Sequence, residues 1–485
     1  MGEKDWLIGV DVGTTSVKAG LFDATGRALA HFARGYPTHR GEGVVEQDPR
    51  EWTSGIVAAM DALLTGRTAD RVAAVGLCSQ VNTDVFVDAE GNALAPAIMW
   101  QDNRAAAEAA DIAAGISEAE YEAWFGGPLP VGASHVLARM AWMARHRPKV
   151  YEATRFVLSP KDYCLRALAG IVVSDPMSNF FIVGKDLAYL APLLARVGGA
   201  QERLPPLSAF TDVVGEIALG SSGKRATVVA GTMDAWSGLF GAGVHKAGQG
   251  VYMSGTSEIL AAASHSRQGA PGVVTFPQAV GLNVHAGPTQ SGGDSLRWWG
   301  ATMGVDVAGV LALARRADRA GRPMLFLPHL EGERAPLWDA QLRGAFVGID
   351  GAAGRPEFAL AVLEGVALSA RMLLGSIDEA AGDAPARLFH AGGGARSDLW
   401  AQIRADCLGR PLDRVSYPDV GCLGAAIMAG VGIGVFSQLS DGIAAMTSVE
   451  RSFEPNPRLT PRYQAMYEAY SRATEALRPI GRIGY

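Results

Sequence analysis

The sequence predicts an α/β fold of two domains built on one repeated pattern, with a cleft between them. Three observations carry this. The apolar strand Ile8-Gly9-Val10-Asp11-Val12 enters a Gly13-Thr14-Thr15-Ser16 turn and continues into the alternating run Lys18-Ala19-Gly20-Leu21-Phe22, a hairpin signal. The pattern restarts at Gly250-Val251-Tyr252-Met253-Ser254-Gly255-Thr256-Ser257, followed by a strand from Ile259 to Ala263, about half the chain later. Finally, 485 residues exceed what one hydrophobic core holds and suit roughly two to four domains. The boundary falls near residue 245, giving domains at 1–244 and 245–485.

Strand patterns fill residues 6–37, with Asp23-Ala24-Thr25-Gly26 as the turn between the second and third strands. Pro49 to Thr65 reads as a helix because Trp52, Ile56, Ala59, Met60 and Leu63 recur on one face. Val72 to Leu77 is a buried strand. Phe86-Val87 leads through the turn Asp88-Ala89-Glu90-Gly91-Asn92 to a strand ending at Met99-Trp100. Residues 104–210 are mainly helical between Pro-rich and Gly-rich joints, and read as an insertion that builds a substrate wall. Val228-Val229-Ala230-Gly231 is a further buried strand, leading to Asp234. In the second half Leu388-Phe389 runs into Ala391-Gly392-Gly393-Gly394-Ala395-Arg396-Ser397-Asp398, and a helix follows from Leu399 to Leu408. Val420 to Phe436 carries no charge but five glycines, and is shorter than the ~20 residues of a membrane span. It reads as a buried glycine-rich helix packed against a nucleotide site. Thr460 to Leu477 is a terminal helix folded onto the second domain.

Composition narrows the function. Hydrophobic residues make up 48% of the chain, enough for a large core, and the net charge is −6. A nucleic-acid binder would need a basic stripe, so no nucleic-acid partner is expected. The four cysteines, Cys78, Cys164, Cys407 and Cys422, form no CxxC pair, and the nine histidines form no HExxH; reduced, buried thiols follow. Met1-Gly2-Glu3-Lys4-Asp5-Trp6 lacks the basic start and apolar core of a signal peptide. A soluble cytoplasmic enzyme of small molecules, without membrane attachment, is expected.

The chemistry gathers at turns. Backbone N–H groups and hydroxyls at a Gly-Thr-Thr tip wrap a phosphate, and the neighbouring Asp11 suits the Mg²⁺ that accompanies it; by itself Asp11 would read as a turn-capping aspartate. There is no GxxxxGK[ST] run, and Gly223-Lys224 reads as a surface turn. Phosphoryl transfer on this chain therefore uses two hairpins. Asp234, in Gly231-Thr232-Met233-Asp234-Ala235-Trp236, is suited to take a proton from a substrate hydroxyl as it attacks the γ-phosphorus of ATP, and equally to start a helix. The Gly392–Gly394 turn lets a flat adenine or ribose approach the backbone, with Gly421-Cys422-Leu423-Gly424-Ala425-Ala426 as the rest of a nucleotide floor. Gln80, Asn82, Trp100, Gln101, Asp102 and Arg104, at the ends of two strands, offer donors and acceptors for a polyol or ketose; singly, each reads as a solvated loop residue.

The order of elements resembles the ribonuclease H-like unit of actin, hexokinase-type sugar kinases and Hsp70-type ATPases. Over nearly its whole length the chain resembles the FGGY carbohydrate kinases. Gly344-Ala345-Phe346-Val347-Gly348-Ile349 followed by Glu357-Phe358-Ala359-Leu360-Ala361-Val362-Leu363-Glu364 fits that family's C-terminal signature. Met140-Ala141-Trp142-Met143-Ala144-Arg145-His146 fits the N-terminal one, with Arg139 for the expected lysine and Val136 for a small residue or proline. Trp100-Gln101-Asp102-Asn103-Arg104 and the Gly-Gly-Gly-Ala-Arg-Ser run look most like xylulokinases. The resemblance implies two ribonuclease H-like domains that close on ATP, and transfer of its γ-phosphoryl group to a sugar or polyol. It implies Asp234 as catalytic base and Asp11 as the second catalytic residue, with Asp11, Thr14, Thr15 and Lys18 at the first phosphate and metal site and both Asp11 and Asp234 as metal residues. It implies Gly255 and Thr256 in the second phosphate loop, Gly293 and Arg297 as nucleotide contacts, and Gly393, Gly394 and Asp398 in the adenosine pocket. The sugar side is implied at Gln80, Val81, Asn82, Trp100 and Asp102.

Here the chain departs from its relatives. Xylulokinases show Gln-Met-His where this chain has Gln80-Val81-Asn82, and Asp-Asn where it has Asp234-Ala235. Glycerol kinases show Arg-Glu at Val81-Asn82 and Asp-Gln at Asp234-Ala235. A xylulose-like pentulose is the first expectation; ribulose, a tetritol, a tetrulose or glycerol are the alternatives. An actin-like or Hsp70-like ATP switch would share the hairpins but leave the polar wall and the C-terminal signature without a purpose. A homodimer is compatible with the family.

Overall fold

The computed structural model describes residues 5–125 and 131–480; the Met1–Lys4 start lies outside them. It divides into two compact units, Met1–Gly243 with Asp419–Thr447, and Val244–Pro418 with Ser448–Tyr485.

In the first unit a sheet runs in the order Val213–Ala218, Arg225–Val229, Val72–Ser79, Trp6–Val12, Ser16–Asp23, Ala28–Gly35, and Thr232–Met233 also pairs with Val72–Ser79. The first three strands of the chain form an antiparallel meander. Val72–Ser79 then joins Trp6–Val12 in parallel, and Arg225–Val229 and Thr232–Met233 join Val72–Ser79 in parallel. The fully apolar reading of Val72–Leu77 has its cause here, since a central parallel strand is covered on both faces. Helix Pro49–Leu64 packs with Trp52, Ile56, Ala59, Met60 and Leu63 buried; Asp48 caps it and Pro49 occupies the first turn. Helices Ala106–Ala114, Glu118–Phe125, Val136–His146, Pro148–Ala153 and Pro160–Ala169 fill the inserted stretch. Ile112, Leu137, Met140, Met143, Leu193 and Leu194 belong to a separate small core there.

The second unit repeats the design. Its central strand Gln249–Ser254 pairs antiparallel with Glu258–Ser264, which continues to Leu282–Pro288 and Val274–Ala279. On the other side it pairs in parallel with Leu388–Ala391, then Leu412–Val415, with Val449–Phe453 as an antiparallel edge. The helix Arg355–Ala381 is apolar and long enough to cross a membrane, yet it is mostly buried. Leu360, Leu363, Val366, Leu373 and Ile377 place it in this unit's core with Phe326 and Trp299.

One expectation is corrected by the packing. The run Gly421–Ala426 was expected in a nucleotide floor of the second half, but it lies in helix Val420–Gly432 of the first unit. The reason is a row of glycines. Gly20, Gly9 and Gly76 pair side by side across three strands, making a groove without side chains. A Cβ on Gly9 would lie 1.8 Å from Cys422 O, and one on Gly76 would lie 1.9 Å from Ala425 O. On its other flank the helix meets Asp234–Ala242 equally closely, with a Cβ on Gly424 1.8 Å from Ser237 O. The two units are thus discontinuous in sequence, where the sequence reading had one boundary near 245.

Candidate active site

Three parallel strand ends converge in the first unit. Asp11 stands opposite Lys18 on one side and Cys78 on the other. Met233 pairs with Ser79, which sets Gln80 and Asp234 at neighbouring strand ends. Ligands gather at such carboxyl ends because the chain leaves the sheet there with its backbone groups and side chains free to turn inward. Burial raises Asp11 from 3.8 to about 6, against the pull of Lys18 and Cys78, with Asp419 adding to the rise. Burial, and then the negative charge of Asp11, raise Asp234 from 3.8 to about 7. Asp234 is the first residue of helix Asp234–Ala242 and follows the cap residue Met233, so the helix-start reading and the strand-end reading both describe it. Asp11 Oδ1 is buried without a hydrogen-bond partner.

The first hairpin closes through Gly13 N–H to Ser16 O at 3.0 Å. Around it, Gln47 Nε2 donates to Thr14 O at 2.8 Å and the Tyr36 hydroxyl donates to Gly13 O. Thr15 is exposed at the tip. Lys18 Nζ donates to Asp419 Oδ1 at 2.7 Å, while His31 Nε2 lies 3.1 Å from Asp419 Oδ2. Burial alone would lower the lysine, but Asp419 holds it above its ordinary range. Sequence reasoning missed Asp419. Its only signal was an acidic residue just before a glycine-rich helix, and only the fold brings it from the far end of the chain to the hairpin.

The residues expected on the sugar side separate into two groups. Gln80 is buried, and neither Nε2 nor Oε1 has a hydrogen-bond partner. Trp236 is buried with Nε1 likewise unpaired. Asn82 adopts a positive φ of 56°, which asparagine tolerates better than most residues. Its carbonyl accepts from Arg139 Nη1 at 2.6 Å, and the same guanidinium reaches Asp84 Oδ2 at 2.7 Å and Met99 O. Arg139, which departs from the signature lysine, thereby staples the loop around residues 82–84 to the strand end at Met99. Val81 is half-buried in that loop. Trp100 Nε1 donates to Thr14 Oγ1 at 3.1 Å and Trp100 N–H to Thr83 Oγ1 at 3.2 Å, so the tryptophan ties the wall to the hairpin. Asp102 is engaged differently from the expectation. Its oxygens accept from Val45 N–H at 2.7 Å and from Arg104 at 2.7–3.0 Å, and Arg104 also holds Glu46 at 2.7 Å. All of its acceptor positions are taken within the protein.

In the second unit Gly255 N–H donates to Ser257 O at 3.0 Å, closing the second hairpin. Gly293 and Asp294 start the helix Gly293–Met303, and their N–H groups donate to Gly255 O at 3.0 Å and Thr256 O at 3.2 Å. A Cβ on Gly293 would stand 2.7 Å from Gly255 O, so this approach requires glycine. Arg297 Nη2 donates to Thr256 Oγ1 at 3.2 Å. Behind the hairpin lies a buried network that the sequence did not reveal. Arg404 donates to Glu258 Oε1 at 3.0 Å and Gly394 O at 3.0 Å, and Ser254 Oγ donates to Glu258 Oε2 at 2.8 Å. This network joins the second hairpin to the Gly392–Gly394 turn. Beside that turn is a cavity of about 300 Å³ lined by His390, Gly392, Arg396, Arg414, Ser416 and Pro418 among others. Gly393 follows on the same turn, and Asp398 begins the next helix, held by Arg414 at 2.7 Å and Arg451 at 2.5 Å.

Residues 6–241 match the FGGY family of carbohydrate kinases, N-terminal domain, and residues 250–433 match its C-terminal domain. The xylulose kinase of Escherichia coli K12 is 30% identical, over 98% of this chain and 99% of its own length. A glycerol kinase of Gloeobacter violaceus is 29% identical over 97% of each chain. Among solved structures, the ligand-bound xylulose kinase of Lactobacillus acidophilus superimposes with a TM-score of 0.88 at 25% identity, covering 97% of this chain and 98% of that one.

Proposed function

Because the chain belongs to the FGGY family of carbohydrate kinases, we propose that it transfers the γ-phosphoryl group of ATP to a hydroxyl of a small ketose, a pentulose such as xylulose being the preferred acceptor. One observation carries the site assignment: Asp234 ends a parallel strand beside the unpaired Gln80 amide, with its carboxyl raised to about 7. A base with a pKa near the working pH is both available and strong enough to accept a proton. Asp234 takes the acceptor's hydroxyl proton as that oxygen attacks phosphorus. The protein supplies positioning and charge rather than a covalent intermediate.

Gln80 hydrogen-bonds the acceptor's hydroxyls. Leaving its amide buried and unpaired costs the free protein about 1–3 kcal/mol, so a polyhydroxylated ligand that satisfies it is strongly favoured over one that cannot. Val81, Asn82 and Trp100 shape the same wall; Asp102 acts through Arg104 and the Val45 backbone rather than on the sugar. Thr14, Thr15 and Lys18 form the phosphate loop of the first unit, and Gly255 and Thr256 that of the second. Gly293 and Arg297 contact the nucleotide, and adenosine takes the cavity beside Gly393, Gly394 and Asp398. The unpaired Oδ1 of Asp11 and its charge coupling to Asp234 suit a hard cation, and Mg²⁺ held there with phosphate oxygens and water would offset the negative charge of the transferred group. The protein is read as a soluble cytoplasmic enzyme whose assembly, monomer or homodimer, light scattering would report.

A coupled ADP-release screen across pentuloses, hexuloses, tetritols, pentitols and glycerol tests the substrate. A higher kcat/KM for glycerol or a tetritol than for every pentulose would displace the pentulose reading, and the Val81-Asn82 and Ala235-Trp236 departures make this the informative comparison. Asp234→Asn is expected to abolish sugar-dependent ADP release while ATP still binds. Full activity in that variant would remove Asp234 from the role of base.

A further inference from the structure

Behind the two strand ends lies a buried ionic cluster that neither hairpin nor the acceptor wall uses. Lys161, in helix Pro160–Ala169, has 0% side-chain exposure, and its Nζ lies 2.5 Å from Asp162 Oδ1 and 3.0 Å from Asp175 Oδ1. Both carboxylates are sealed as well. Burial alone would lower the ammonium, yet the two aspartates hold it above its ordinary range. Asp162 Oδ2 accepts from Ser159 Oγ at 2.7 Å and Ser174 Oγ at 2.6 Å. Asp175 Oδ2 accepts from the N–H groups of Met177 and Ser178 at 3.0 and 3.2 Å, and from Thr232 Oγ1 at 2.6 Å. On the other side, Lys161 N–H donates to Ser79 Oγ at 3.2 Å, and Ser79 Oγ donates to Gln80 O at 3.2 Å.

The cluster therefore terminates on two strand ends. Thr232 lies two residues before Asp234, and Ser79 lies one before Gln80. Taking such charges out of water is costly, and apolar side chains of similar volume would stabilise the fold at least as well. What they could not supply is the directional bond from Thr232 to Asp175, or the ion pair that ties Asp175 to Lys161, the residue whose backbone N–H reaches Ser79. We infer that Lys161, Asp162 and Asp175 are positioning residues that fix Asp234 relative to Gln80, and so align the acceptor hydroxyl with its base. The inference rests on the assignment of Asp234 as that base.

Two light substitutions separate the two arms. Thr232→Val keeps the side chain's shape, removes the hydrogen bond to Asp175 and leaves the Lys161 ion pairs in place. It is expected to lower kcat about tenfold while KM for sugar and ATP stays within about twofold, because small misplacements of a reacting group act on rate. Thr232→Ser should restore kcat. Ser79→Ala cuts the other arm and is expected to raise KM for the sugar about tenfold with a smaller change in kcat. Wild-type kcat in Thr232→Val overturns the inference. So does any pair of results in which both variants lower the melting temperature while kcat and KM move together, since that describes packing alone. Asp234→Asn is measured beside them. If it is inactive while Thr232→Val is not impaired, positioning fails and the base stands; if it keeps full activity, the base assignment itself fails.

Discussion

Asp234→Asn should stabilise the protein, and by an amount that depends on pH. The Asp234 carboxyl is raised from 3.8 to about 7 in the folded chain, first by burial and then by Asp11. Below pH 3.8 the carboxyl is protonated in both folded and unfolded chains, and the substitution changes little. Between 3.8 and about 7 the unfolded chain ionises while the folded one does not, so wild-type stability falls as pH rises. Above about 7 both are ionised and the penalty is constant. At about 1.4 kcal/mol per pH unit, that interval makes about 4 kcal/mol, a ceiling because Asp234 is half-buried rather than sealed. An asparagine Oδ1 still accepts from the Asp234 and Ala235 N–H groups that face the carboxylate. The assay is thermal unfolding of wild type and variant from about pH 4 to about pH 8, with chelator and without nucleotide. The variant's melting temperature should match wild type at the acid end and exceed it by several degrees at the alkaline end. A difference that does not change with pH, or a variant less stable than wild type at about pH 8, would refute the electrostatic account.

Three further outcomes follow from the geometry. Gly9→Ala places a Cβ 1.8 Å from Cys422 O and should cost about 3 kcal/mol or more in denaturant unfolding, because the helix backbone must move. Arg404→Met leaves Glu258 buried without its cation, at a cost of about 3–5 kcal/mol; it should raise KM for ATP more than KM for sugar, since Arg404 braces Gly394 and the strand that carries the second hairpin. Gln80→Leu removes the buried unpaired amide and should leave the melting temperature equal to or above wild type, while kcat/KM for the sugar falls at least about a hundredfold.

Much of this was legible in local patterns. Both Gly-Thr hairpins, helix Pro49–Leu64, strand Val72–Ser79 and the Gly392–Gly394 turn follow from periodicity and turn chemistry within a few residues of themselves. Asp11 and Asp234 stood out because each ends an apolar run. The rest depends on contacts distant in sequence. The Asp419–Lys18 pair joins residues from opposite ends of the chain. The Lys161 cluster draws on a helix, a loop and two strand ends. Arg404 shows its role only once Glu258 and Gly394 flank it. Asp102 illustrates the converse: its residue type suited a sugar, but the next arginine along the chain and the Val45 N–H occupy it.

The return of the chain at Asp419 has a consequence for biosynthesis. The row of glycines at Gly20, Gly9 and Gly76 is shaped to receive backbone from Val420–Gly432, which leaves the ribosome only after residues 244–418 have been made. Until then the first sheet has an open trough lined by glycine on one face, and the contiguous segment 1–243 is an incomplete folding unit. The nascent first half therefore waits for this returning segment, with the second unit's residues 244–418 synthesised in the interval.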